Sequence, residues 1–125
     1  MTPDIPAIRL FGPAALDASD TFQKVFTGRG GSLWALRLVS AHNTGNSAAT
    51  LTIALRTAAQ SSQTVGSSHT LFKKSVASGA SELLQFDDLA LEVDDTLHLS
   101  ASATDLILTV WAAFHPTRGK SVGEE

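Results

Sequence analysis

Leu38–Arg56, LVSAHNTGNSAATLTIALR, is the stretch that decides the fold. Its second half alternates, with Leu51, Ile53 and Leu55 on one side and Thr50, Thr52 and Arg56 on the other. Side chains that switch sides at every residue mark a half-buried β-strand. Its first half continues Leu33–Val39, which is apolar on nearly both sides and reads as a central strand covered twice over. Between them lies Asn43-Thr44-Gly45-Asn46-Ser47. Asn and Gly accept left-handed backbone conformations, so this knot reverses the chain and makes a hairpin.

The same cadence runs outward in both directions. Thr21–Phe26 reads as a strand closed by a turn at Gly28-Arg29-Gly30-Gly31. Downstream, strands are expected at His69–Val76, Glu82–Phe86, Leu89–Val93, Thr96–Ala101 and Asp105–Phe114. In the last of these Leu106, Leu108 and Val110 share one face, and Ile107 and Trp111 the other. Ala58–Ser68, small and polar, reads as an exposed loop. No stretch has helical periodicity. Turn signals roughly every 8–12 residues predict an all-β protein: a single antiparallel β-sandwich, jelly-roll-like, of about eight strands. Residues 1–20, which hold Pro3, Pro6 and Pro13, form an N-terminal arm or edge segment. Residues 21–114 form the sandwich, and 115–125 a polar C-terminal tail.

Composition narrows the function classes. The chain has 125 residues, a net charge of −3 and no Cys. Its nine Lys and Arg are scattered, so no nucleic-acid partner is expected. No apolar run approaches the ~18–20 residues that span a bilayer, so no membrane partner is expected either. The first residues lack the pattern of a signal peptide.

Motifs of chemistry are weak. Gly119-Lys120-Ser121 ends like a phosphate loop, but Phe114 stands where that loop needs glycine. Gly28-Arg29-Gly30-Gly31 fails as a dinucleotide fingerprint because Leu33 replaces the third glycine. Glu82, Asp87, Asp88, Glu92, Asp94 and Asp95 crowd into one region; they suit either a calcium site or solvated turns. His42, His69, His98 and His115 have no metal-ligand spacing, and His98 is expected on an outer face. No serine sits in a nucleophile elbow. No catalytic residue, metal or cofactor is expected.

The clearest functional clue is that two strands are apolar on both faces, because exposed apolar patches mark interaction sites. A loop or the N-terminal arm covers them, or another subunit does. Ile8, Leu10, Phe11, Trp34, Ile107 and Trp111 are the candidate contacts.

The order of pieces resembles a group of small β-sandwich virion proteins of tailed bacteriophages. The resemblance is carried by Thr21–Thr27, Gly28–Gly31, Leu33–Ala41, Asn43–Ser47, Ala49–Thr57, Ala77–Leu84, Asp94–Ala103 and Asp105–Ala113. It implies a non-enzymatic structural role on a virus particle assembled in the host cytoplasm. That role is capsid decoration, or a part of a tail, collar or fibre. The partners would be the major capsid or other virion proteins and further copies of the chain, with a trimer expected. Two other readings are a carbohydrate-binding host-recognition module, needing exposed aromatics in a groove, and a cupin-type enzyme, needing histidines inside the barrel.

Overall fold

The computed structural model describes residues 7–29 and 32–116. Gly30, Gly31 and the tail from residue 117 lie outside the described residues, as do the side chains of Asp87, Asp88, Phe114 and His115. The strands are β1 (Ala7–Ala14), β2 (Gln23–Thr27), β3 (Ser32–Asn43), β4 (Ala49–Arg56), β5 (Thr70–Val76), β6 (Ser81–Leu91), β7 (Thr96–Ala101) and β8 (Leu106–Pro116). They form two four-stranded antiparallel sheets, ordered β1-β8-β3-β6 and β2-β7-β4-β5. This is the jelly-roll arrangement, two Greek keys folded over one core.

The expected strand count is right, but the chain is divided differently. Ala7–Ala14 is a strand, paired with β8 along the edge of the first sheet. Pro13 is tolerated there because an edge strand leaves some backbone N–H groups without ladder partners. Glu82–Phe86 and Leu89–Val93 are not two strands. They are one, β6, whose register slips between Gln85 and Leu89 around the Asp87-Asp88 pair. Ala58–Ser68 is not a bare loop. It contains a 3-10 turn at Ala58–Gln60 and leads into a second at Ser67–His69.

The core lies between the sheets. Leu36, Val39, Leu51, Ile53, Leu97, Leu99, Leu108 and Val110 are completely buried there. A bulge in β3 sets which residues reach it. Leu36 pairs with Ala112 and Leu38 with Trp111, so Arg37 is an extra residue on β3. One inserted residue reverses the facing of everything beyond it. Trp34 and Leu36 therefore point inward on one side of the bulge, and Val39, Ala41 and Asn43 on the other.

Asn43 ties one end of the sandwich together. Its side-chain amide donates to the carbonyls of Ser47 (2.8 Å) and Val76 (2.9 Å), and its Oδ1 accepts from the Gly45 N–H (2.8 Å). Its backbone N–H donates to Ala80 O and its carbonyl accepts from Gly79 N–H. The Thr44 N–H and hydroxyl both donate to the Asp105 carbonyl. The β3–β4, β5–β6 and β7–β8 connections are thereby joined. A Cβ on Gly45 would press on the Asp105 side chain, which would have to shift to admit it.

At the opposite end Asp95 does a similar job. Its buried carboxylate accepts from the Ala58 N–H (3.1 Å) and the Glu92 N–H (2.9 Å). Gly28 N–H donates to the Asp95 carbonyl, and Asp94 N–H to the Gly28 carbonyl. A Cβ on Gly28 would overlap the Glu92 carbonyl oxygen, so only glycine permits this approach.

Candidate functional site

The outer face of the first sheet is built by the residues that alternate with the core. On β8 these are Ile107, Thr109, Trp111 and Ala113; on β3, beyond the bulge, Leu38, Ser40 and His42. Register places Arg9, Trp111, Leu38 and Gln85 in one row across the four strands. The next row holds Thr109, Ser40 and Leu83, and the one beyond it Ile107, His42 and Ser81. Leu83 is 64% exposed, the most open of the large apolar side chains among the described residues. Trp111, Leu38 and Ile107 around it are half-buried. The outward face of a sandwich sheet is ordinarily polar. Here a strip of four large apolar side chains, interrupted by Thr109, Ser40 and His42, runs along it.

The six expected contact residues do not form one surface. Ile107 and Trp111 lie on this outer face. Trp34 does not: it is 8% exposed and packs edge-to-face on Phe26, ring centroids 5.1 Å apart, inside the core. The bulge at Arg37 is the reason, since Trp34 and Trp111 face opposite sides of the sheet. Phe11 pairs with Val110 and packs against the core, as does Leu10 beside it. Ile8 is exposed, but it sits on an edge strand paired within its own sheet rather than on a free arm. Leu38 and Leu83 were missed. The Leu83-Leu84 pair held a signal, because adjacent strand residues cannot both face the core. Leu84 pairs with Val39 and takes the inner side.

The second sheet is different. Its outer face is covered by the chain's own segment 57–69. Arg56 Nη1 donates to the Gln63 carbonyl at 2.9 Å, and His69, itself buried, lies 3.1 Å from Gln63 Oε1 through Nε2. All of β7 is consequently buried. His98 faces outward, as expected, yet it is only 6% exposed, with Nε2 2.8 Å from Thr96 Oγ1. Burial, then the positive charges of Arg56, Lys24 and His69, lowers its pKa from 6.5 to about 4.

A base held neutral in the fold is protonated more readily in the unfolded chain. The fold should thus lose stability as pH falls from 6.5 towards 4 and keep this contribution above 6.5. Thermal melts across that window should show the decline, and His98→Gln should flatten it. An equally steep decline in the variant would mean that other groups cause it.

The three histidines with described side chains do not gather in the interior: His42 is on the first outer face, 2.7 Å from Ser81 Oγ, and His69 and His98 are on the second. Among the described residues no group of three His, Asp or Glu side chains is placed to hold a metal. The described acids of this region serve turns and contacts. Asp94 adopts φ +67°, Asp95 binds backbone N–H groups, and Glu82 lies 3.9 Å from Lys74. No protein-family model, curated protein or solved structure matches the chain.

Proposed function

We propose that this chain is a structural protein of a tailed-bacteriophage particle, a capsid-decoration protein that self-associates and attaches to the shell. The observation that carries the proposal is the strip of Trp111, Leu38, Ile107 and Leu83 on the outer face of β8, β3 and β6. The jelly-roll strand order, and the resemblance of the run of turns and strands to small phage virion proteins, support it. The occupant of the strip is a second copy of the chain, and three copies close the assembly. At about 25 cal/mol per Å2, a few hundred Å2 of apolar contact contributes several kcal/mol before association costs. Attachment at repeated positions on a shell multiplies a weak single contact.

Sedimentation or light scattering of the purified chain tests the first half. The expected mass is three times 13.1 kDa. Leu83→Lys combined with Ile107→Lys should weaken association at least tenfold, because it buries two unpaired ammonium groups. A wild-type monomer at high concentration would overturn the self-association. Imaging of intact particles tests the second half: the sandwich should stand on the outside of the shell, and its absence from the particle would end the proposal.

A further inference from the structure

The second sheet carries a groove that the apolar strip does not use. It opens between segment 61–65 and the β1–β2 connection, with a volume of about 640 Å3. That lies within the range of small-molecule sites, roughly 300–1,000 Å3. His98 and Arg56 lie at its floor, Ser61, Ser62, Gln63, Thr64 and Val65 on one side, and Asp20, Thr21 and Phe22 on the other.

The lining has a definite chemistry. The hydroxyls of Ser61, Ser62 and Thr64 can each donate and accept, whereas the Thr21 hydroxyl donates to the Ser19 carbonyl and the Gln63 amide oxygen faces His69 Nε2, which leaves the Gln63 amide N–H groups as donors. Such two-way groups suit a ligand that is itself rich in hydroxyls. Phe22 and Val65 offer apolar surface for the C–H side of a ring. Arg56 commits one guanidinium N–H to Gln63, and its planar fork carries further donors. Lys24 stands directly opposite His98 on the neighbouring strand, and His69 closes the covering segment behind Gln63. Against these basic groups Asp20 is the single acid in the lining. The basicity of His98 is depressed first by burial and then by the positive charges of Arg56, Lys24 and His69 that surround it.

We propose that this groove binds a short saccharide bearing a carboxylate, with the acid group on Arg56 and the ring hydroxyls on Ser61, Ser62, Gln63 and Thr64. A neutral-sugar site built on stacking needs exposed aromatic platforms, and beside the buried His98 imidazole the groove lining offers Phe22 alone. A nucleic-acid site needs a basic stripe that tracks successive phosphates, whereas this groove is bounded by Asp20 and the folded-back segment. The proposal is independent of the apolar strip, so each stands or falls alone.

The test is a two-dimensional NMR titration of the whole chain. The probes are a panel of uronic-acid trisaccharides and sialyllactose, their neutral methyl esters, and inorganic phosphate. Amide shifts should be confined to residues 20–22, 56, 61–65 and 98. The acids should bind at least tenfold more tightly than their esters. A bound carboxylate favours the imidazolium, so the His98 pKa should rise from about 4, and affinity should increase as pH falls. Arg56 also anchors the segment, so Arg56→Gln alone would be ambiguous. Ser62→Trp, at an exposed position, fills the groove and should abolish binding without changing the melting temperature. Equal binding of acids and esters would overturn the carboxylate. Shifts with phosphate that the saccharides do not strengthen would leave an anion site only and overturn the sugar. No shifts from any acid at millimolar concentration would overturn the whole proposal.

Discussion

Asn43→Ala is expected to lower the melting temperature by about 10 °C. The side chain is completely buried and makes three hydrogen bonds, to Ser47 O, Val76 O and Gly45 N. Truncation removes all three and leaves backbone groups without partners in a closed site. Each such group costs roughly 1–3 kcal/mol, and water can reach the Ser47 side, so about 3 kcal/mol is a fair total. For a domain of this size, 1 kcal/mol corresponds to roughly 3–5 °C. Asn43→Asp should do no better, because it keeps the acceptor but loses both donors and sets a carboxylate against two carbonyls. Thermal and denaturant unfolding of both variants will decide. A loss below about 1 kcal/mol would mean that the backbone hydrogen bonds alone hold these connections.

Trp34→Ala should cost about 3–5 kcal/mol of stability, the range for removing a large aromatic from a core. Its ring packs on Phe26 between the sheets and contributes nothing to the outer face. Association of whatever folded protein remains should therefore be unchanged. Leu83→Lys gives the reverse pattern: stability within about 0.5 kcal/mol, with association weakened. Measuring unfolding and mass on both variants separates core from contact surface. If Trp34→Ala dissociates the assembly while leaving the subunit stable, the assignment of the two tryptophans is inverted.

The alternation of Leu51 to Leu55 and of Leu97 to Leu99 was open to reading because those strands keep strict period two. The turn at Asn43–Ser47 was equally clear, since its residues bear the turn chemistry themselves. What the sequence hid were departures from periodicity. Arg37 looks like any strand residue, yet as the extra member of a bulge it sends Trp34 inward and Leu38 outward. Asp87-Asp88 looks like a break, yet β6 runs through it with a slipped register. Pro13 argued against a central strand, and the edge position that its segment takes beside β8 agrees with that reading. The groove was invisible for another reason. It joins residues 20–22, 56, 61–65 and 98, which come together only when segment 57–69 folds back over β4 and β7.

One feature of β5 bears on how copies of this chain can add to one another. The strand lies at the open margin of the second sheet, with Lys73 and Lys74 in succession. Thr52 pairs with Lys73 and Leu51 with Lys74, so one ammonium group projects to each side. Lys74 lies 3.9 Å from Glu82, so Lys73 is the charge that a newcomer docking its backbone along this margin would meet with its own, and that repulsion opposes growth of the ladder. Edge-to-edge extension into filaments is disfavoured at that rim.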